Sequence, residues 1–254
     1  MIKDIRITRM KKAGLALLSK RIELEDGKPV SDGSRCAMVN GSATRVVLNA
    51  GTPAADLAAL ILDLGSHEAL VLGDHVAEDD MIEITKAAHA DPARGLYGRS
   101  LETFGFKEGE PAAVLLDYDQ KAISDSAHAA IEAAGGYESA IASLIPSYPT
   151  LARVTRASTS TGIRNEETGA TFPGNGGLHL YLFAQNGADI KRFLKDLQKR
   201  AWLAGMGWIM VSARGDKLIR SIVDVPSARP SGWCSKASRG LSRPWRKTWK
   251  PGGR

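Results

Sequence analysis

The sequence predicts an α+β protein in which a mainly antiparallel sheet carries polar residues on one face and is covered by helices on the other. Apolar runs of strand length occupy residues 112–116 and 178–183. Segments 208–211 and 218–225 flank a turn at 214–216, which predicts a hairpin. Amphipathic segments with helix start and stop signals lie between these runs.

Capping residues and apolar periodicity predict four helices. Thr52 precedes Pro53, an order favoured at helix N-termini, and Gly65 ends that segment. Ser124 can cap a second helix, which ends near Gly135. The other two helices cover 137–145 and the stretch containing Ile190, Phe193, Leu194 and Leu197. Further strands are predicted at 21–24, 45–48, 69–72 and 153–155.

The composition argues against a membrane span and against a disulfide framework. The apolar runs 57–64 and 202–211 are interrupted, and both fall short of the roughly 20 residues that cross a bilayer. Charged residues are spread over the first dozen positions, which argues against a secretory signal. Cys36 and Cys234 lack the spacing of a zinc site. The sequence therefore predicts a cytoplasmic protein without membrane association.

The excess of basic residues is confined to the C-terminal end. From Pro226 onward there are eight Lys or Arg residues and no acidic residue. Because the whole chain has 34 basic and 28 acidic residues, the part before Pro226 has 26 and 28, a net charge of −2. Nucleic-acid binding by the globular part must therefore be argued from the chemistry of a site.

A pair of aspartates follows the apolar run at 112–116. Acidic-x-acidic spacing occurs four times in the chain, but only Asp117 and Asp119 close an apolar strand. Strand alternation places both carboxylates on one face, where their repulsion favours a divalent cation between them. The alternative is a strand that reaches solvent, with Asp119 starting a turn.

Two later strands carry further candidate residues. His179 lies early in its strand and shares a face with Tyr181. Arg220, Ile222 and Asp224 are predicted to face one way on the last strand. The alternatives are a structural histidine and an ion pair between Arg220 and Asp224 on the sheet surface.

The order of these motifs resembles that of the archaeo-eukaryotic primase superfamily. Its signatures are an apolar run ending in Asp-x-Asp, then small-x-His, then hydrophobic-Asp, matched here by Asp117/Asp119, Gly177-Leu178-His179 and Val223-Asp224. Segments 156–162, 176–179, 202–208 and 220–224 are also similar to primase domains of phages, plasmids and integrated elements that are fused to a replicative helicase. The resemblance covers most of residues 1–225 and is motif-specific after Pro111.

The resemblance implies a DNA primase-polymerase core with an RRM-like antiparallel sheet flanked by helices. The three motif strands should lie side by side around two Mg²⁺ or Mn²⁺ ions. The metal ligands implied are Asp117, Asp119 and Asp224, and the nucleotide or template contacts are His179, Arg220, Ser158 and Ser160. The expected partners are a DNA template, an NTP or dNTP, and a replicative helicase domain or protein.

Two other functions stay open at the level of sequence. One is a catalytically inactive replication or partner-binding module with the same fold, and the other is a metal-dependent phosphohydrolase that uses the same carboxylates. Residues 111–225 contain all three motifs and are predicted to form the catalytic core. Residues 1–110 are either its N-terminal part or an appended α/β module.

The tail at 226–254 differs in composition from the rest and contains three of the five tryptophans. One hypothesis is a frameshifted reading of the gene. Codons can be chosen for residues 228–237 so that another reading frame encodes a different segment. That segment is similar to the sequence that follows the Asp-bearing strand in the resembled family, on the way to the helicase domain. This hypothesis predicts a disordered, dispensable tail. The alternative is a basic arm whose tryptophans stack on bases.

Overall fold

The computed structural model confirms an α+β fold. It describes residues 3–14, 18, 21–25, 28–32, 38–120, 123–158, 163–164, 171–172, 177–212, 214–223, 225 and 233–234. No helix in these ranges is long and apolar enough to cross a membrane. A mainly antiparallel sheet and a smaller, fully antiparallel sheet share a buried core, and a layer of helices covers the outer face of the smaller sheet.

The strands are β1 (Ile5–Lys12), β2 (Arg21–Glu25), β3 (Lys28–Asp32), β4 (Gly41–Leu48), β5 (Glu68–Val71), β6 (Asp74–His75), β7 (Met81–Thr85), β8 (Leu96–Gly98), β9 (Phe104–Gly105), β10 (Ala112–Tyr118), β11 (Val154–Ala157), β12 (Ile163–Arg164), β13 (Thr171–Phe172), β14 (Leu178–Ala184), β15 (Gly207–Val211), β16 (Lys217–Ser221) and β17 (Trp233–Cys234). The helices are α1 (Pro53–Asp63), α2 (Asp125–Ala133), α3 (Tyr137–Leu144) and α4 (Ile190–Leu203). Short 3-10 turns occupy Ala87–His89, Pro92–Arg94, Tyr148–Thr150 and Gly187–Asp189.

The larger sheet has the strand order β17-β5-β1-β4-β7-β8, and its pairs are antiparallel except β7 with β8. Helix α1 packs on one face of this sheet. It begins after Thr52 with Pro53 at its first turn and buries Leu57 and Ile61, as the sequence predicts. Its apolar side joins Ile7 of β1 in a core that the smaller sheet completes.

The smaller sheet has the order β10-β14-β11 and is antiparallel throughout. Strand alternation separates its two faces. One face presents Val114, Leu116 and Leu180 to a core formed with α2, α3 and α4. The other presents Leu115 and Tyr181 to the core shared with α1 and the larger sheet. The predicted covering of one sheet face by helices is therefore confirmed.

Helices α2 and α3 of this layer begin where the sequence predicts. The hydroxyl of Ser124 accepts a hydrogen bond from the backbone N–H of Ala127 at 3.2 Å, which caps α2. Gly135 and Gly136, both with positive φ, then separate α2 from α3. Both ends of α2 are therefore determined by residues next to them in the sequence.

The predicted hairpin forms from β15 and β16, but its second strand is shorter than expected. The strand ends at Ser221, not near Val225, because the Ser221 hydroxyl donates to the Val223 carbonyl at 2.9 Å and accepts from the Val223 N–H at 3.1 Å. Ile222 and Val223 are fully buried in the helix-side core. The predicted extent of this strand to Val225 is therefore wrong, while the predicted orientation of Asp224 concerns a residue outside the described ranges.

Most of the predicted tail at 226–254 lies outside the described residues. The exception is β17, whose Trp233 and Cys234 lie opposite Val71 and Leu70 of β5 in antiparallel register. This short strand forms one edge of the larger sheet.

Candidate functional site

Three polar residues lie in a row across the smaller sheet. Asp117 of β10 is directly opposite His179 of β14, and His179 is directly opposite Arg156 of β11. Residues in direct register on antiparallel strands project to the same face, so the three side chains are neighbours. The His179 Nε2 atom lies 3.3 Å from Asp117 Oδ1. We call these residues the first row.

A second row lies one step toward the end of the strands. Asp119 follows β10, Gly177 precedes β14 and Ser158 follows β11, so all three continue the face that carries the first row. The Ser158 N–H donates to the Gly177 carbonyl at 2.8 Å, which extends the pairing of the two strands beyond their ends. The second row thus adds a carboxylate and a hydroxyl to the site.

Gly177 leaves the space that the Ser158 hydroxyl occupies. A Cβ atom at position 177 would lie 2.8 Å from Ser158 Oγ and 3.1 Å from the Tyr118 carbonyl oxygen. Both distances are shorter than ordinary van der Waals contact, so a side chain here would push the strands apart. The structure therefore gives a physical reason for a small residue two positions before His179.

The polar rows continue the face whose apolar part is buried against the larger sheet. Leu115, two residues before Asp117, lies opposite Tyr181, two residues after His179, and both belong to the core shared with α1. The Tyr181 and His179 rings meet edge to face, with 6.3 Å between their centroids and an interplanar angle of 85°. The site therefore begins where the core between the two sheets ends.

The side chains of the two rows differ in their exposure to solvent. The His179 side chain is 1% exposed and that of Asp117 is 17% exposed. Asp119 is exposed, whereas Arg156 is 4% exposed. A ligand can therefore reach the carboxylates from solvent on the β10 side, while the cationic side of the row is held inside the protein.

Two stacked tyrosines support the end of β10 from the helix side. The rings of Tyr118 and Tyr137 are 4.3 Å apart at an angle of 8°. Burial, followed by the nearby charge of Asp117, raises the pKa of Tyr137 well above its usual value. Tyr137 therefore stays neutral, and its ring supports the strand that carries Asp117 without adding charge.

The remaining predicted residues are not brought into this sheet by the described part of the chain. Asp224 and Ser160 lie outside the described residues. Arg220 is half-buried in β16, which pairs with β15 and not with β10 or β14 within the described ranges. The expectation that three motif strands lie side by side is met by β10 and β14 but not by β16.

Among the described residues, no three His, Cys, Asp or Glu side chains lie close enough together to hold a metal ion. The carboxylates of Asp117 and Asp119 are the described part of the predicted ligand set. Asp224 lies outside the described residues, so its place in the ligand set stays a prediction.

The sequence prediction missed Arg156 as a site residue. Its segment was noted for the family resemblance, but nothing in local spacing pairs residue 156 with residue 179, because the two are joined only by the antiparallel register of β11 and β14. An arginine two residues after Val154, on the same face of the strand as this apolar residue, was the available signal.

No family model, curated protein or solved structure matches this chain. The function must therefore be argued from the site itself. The site consists of two carboxylates at the end of one strand, an imidazole on the next strand, and a guanidinium and a hydroxyl on the third.

Proposed function

We propose that this protein is a template-directed nucleotidyltransferase, a DNA primase or polymerase that replicates a mobile element or phage. The observation that carries the proposal is the direct opposition of Asp117 and His179 on adjacent strands, with Asp119 next on the same face. It makes neighbours of two motifs that are about sixty residues apart in the sequence. Their proximity is what a shared reaction centre requires.

The carboxylates fit a hard divalent cation. Asp117 and Asp119 present oxygen donors, the ligands that Mg²⁺ and Mn²⁺ prefer, and at least one of the two is exposed to solvent. In the proposal Asp224 completes the ligand set for two ions. Such ions, when bound, supply a Lewis acid that favours ionisation of an attacking hydroxyl and neutralises charge on phosphate oxygens.

The protein's own residues act by fixing positions. His179 is held by burial, by the edge of the Tyr181 ring and by the 3.3 Å approach to Asp117 Oδ1. In the proposal its imidazole binds a phosphate oxygen of the incoming nucleotide. Because strands carry both residues, their separation is set by backbone pairing and changes little on binding.

The remaining residues of the proposal bind nucleotide or template. Ser158 lies beside the first row, and its hydroxyl faces the space left by Gly177. Ser160 and Arg220 are proposed as further contacts. The proposed partners are a DNA template, an NTP or dNTP, and a replicative helicase domain or protein.

The test is incorporation of labelled NTPs or dNTPs on a DNA template with Mn²⁺, resolved on a gel. We expect Asp117→Ala, Asp119→Ala and Asp224→Ala each to abolish incorporation, because loss of one carboxylate removes a ligand that the metals require. Circular dichroism and thermal unfolding should show that the variants stay folded. Wild-type rates in all three variants would refute the assignment.

Glu108→Ala is the matched control. Glu108 is an exposed acid of another acidic-x-acidic pair, Glu108/Glu110, which precedes the opposite end of β10. Its removal changes the net charge by the same amount as each aspartate variant but leaves the two rows intact. We expect incorporation within twofold of wild type. A loss as large as that of Asp117→Ala would show that charge alone, and not the site, controls activity.

A further inference from the structure

The part of the chain from α4 to the end of the β15–β16 hairpin differs in charge from the rest of the globular part. Residues 190–223 have eight basic and two acidic side chains, a net charge of +6. The chain before Pro226 has a net charge of −2, so its other residues together have a net charge of −8. Helix α4 and the hairpin are therefore a basic region on an acidic protein, and this region attracts an anionic partner.

A row of lysines runs along the exposed side of α4. Successive helix residues are turned by about 100°, so Lys191, Lys195 and Lys199 lie within an arc of about 80°. All three side chains are exposed. Lys199 pairs with Asp196 at 3.1 Å, whereas Lys191 and Lys195 form no ion pair with any residue that the structure describes. The charges of Lys191 and Lys195 are therefore available to an anionic ligand.

The outer face of the hairpin carries exposed apolar side chains. Ile209 of β15 lies directly opposite Ile219 of β16, so the two side chains share one face. Val211 lies on the same face of β15 by strand alternation. More than half of each of these three residues is exposed to solvent. Neighbouring apolar side chains with this exposure are typical of a surface that binds a partner.

Trp202 joins the lysine row to the apolar face of the hairpin. It lies within the same arc of α4 as the lysines. A Cβ atom at Gly207 would overlap the Trp202 ring, so the indole lies directly on the backbone of β15. The Cβ position of Gly207 points to the same face as Ile209, two residues along the strand. Because Trp202 is still 38% exposed, part of its ring can contact a ligand.

We propose that α4 and the hairpin form a binding surface for single-stranded DNA. The lysine row contacts phosphates, and Trp202 with the apolar face of the hairpin contacts bases. A single strand fits this surface better than a duplex, because its unstacked bases can pack on an indole and on apolar side chains. An acidic peptide would match the charge but offers no series of planar rings. The surface rests on the proposed function only for the identity of the strand, which is the template.

The experiment is fluorescence anisotropy of a labelled oligothymidine strand titrated with the full chain at several salt concentrations. EDTA is present, so that divalent ions at Asp117 and Asp119 do not contribute. Lys191→Gln/Lys195→Gln should raise the Kd and reduce the slope of log K against log salt by about 1.4, since each phosphate contact to a single strand contributes about 0.7. Trp202→Leu should raise the Kd about 5- to 100-fold, the loss typical of one base stacked on an aromatic ring, without changing the slope.

Lys11→Gln/Lys86→Gln is the matched control. Both lysines are exposed, one on β1 and the other directly after β7 of the larger sheet. The control removes the same charge from another surface, so we expect a Kd within twofold of wild type and an unchanged slope. Circular dichroism and thermal unfolding establish that each variant is folded. Should Trp202→Leu fail to fold, the variant of the two exposed lysines on α4 decides.

Three results would overturn the surface. They are no binding of the single strand by the wild type, an unchanged Kd in the folded Lys191→Gln/Lys195→Gln variant, and an equal loss in the control. Duplex DNA or polyglutamate bound as tightly as the single strand, with no effect of Trp202→Leu, would also overturn it, in favour of a surface for duplexes or acidic proteins.

Incorporation measured in parallel separates this inference from the proposed function. Incorporation by the wild type, with the Kd for the single strand unchanged in the variants, leaves the function standing and overturns the surface. Binding that depends on the two lysines and on Trp202, without incorporation by the wild type, supports the surface and leaves nucleotidyl transfer without support.

Discussion

Substitution of Gly177 by alanine tests the geometry of the site without any assumption about its reaction. The added Cβ atom would lie 2.8 Å from Ser158 Oγ, 3.1 Å from the Tyr118 carbonyl oxygen and 3.2 Å from Ser158 Cβ. The serine hydroxyl can rotate away, but the Tyr118 carbonyl belongs to the backbone of the same sheet. Relief therefore requires β14 to move relative to its neighbours, and His179 moves with it.

The expected cost is that of overpacking a close contact, about 1–3 kcal/mol in the free energy of unfolding. For a chain of this size, each kcal/mol lowers the Tm by about 2–4 °C. Removing the serine hydroxyl relieves the shortest of the three contacts but leaves the other two. The double variant Ser158→Ala/Gly177→Ala should therefore recover part of the lost stability, and the coupling between the two substitutions should be favourable.

The assay is urea unfolding followed by circular dichroism. Gly105→Ala is the control, because a Cβ atom at Gly105 meets nothing within 4 Å. We expect that variant to stay within about 0.5 kcal/mol of wild type. If Gly177→Ala is as stable as Gly105→Ala and shows no coupling to Ser158→Ala, the packing of the second row is wrong.

Three further predictions concern other parts of the molecule. Burial raises the pKa of Tyr148 to about 12. Because the unfolded chain ionises this tyrosine from about pH 10, the free energy of unfolding should fall by at most about 3 kcal/mol as the pH rises from about 10 to about 12. In alkaline urea titrations Tyr148→Phe should lack this part of the fall. Arg45 donates to one carboxylate oxygen of Asp74, which is 5% exposed, at 2.8 Å, and Lys107 donates to the other at 2.9 Å. Because Lys107 still pairs with Asp74, Arg45→Met should cost about 1–3 kcal/mol in urea unfolding, whereas loss of the 84% exposed partner Asp80 should cost under about 0.5 kcal/mol. Equal effects would contradict the role of burial. His179→Ala should raise the nucleotide KM about tenfold in incorporation kinetics because a phosphate contact is lost, and an unchanged KM would leave His179 a structural residue.

Local signals predicted the elements that position the site. The apolar run before Asp117 became β10, and Ser124 caps α2, because each depends on residues within a few positions. The face that carries Asp117 and Asp119 also followed from strand alternation. These features depend only on neighbouring residues in the chain, so they could be predicted from the sequence alone.

Long-range pairing limited the rest of the prediction. The register that places Arg156 beside His179 joins strands separated by a long connection, and periodicity within either strand does not specify it. The early end of β16 depends on hydrogen bonds between Ser221 and Val223, which compete with continued strand pairing. Motif order anticipated the proximity of Asp117 and His179, while the position of Asp224 stays a prediction.

The most direct measurement is single-nucleotide incorporation by the wild-type chain on DNA templates that differ in one base, with Mn²⁺ as the metal. Each nucleotide is supplied separately, and the product is identified by mass. The proposed function predicts incorporation of the nucleotide complementary to the varied base on every template, and none without template or metal. Absence of any product, or a product whose identity does not follow the template base, would contradict template-directed nucleotidyl transfer.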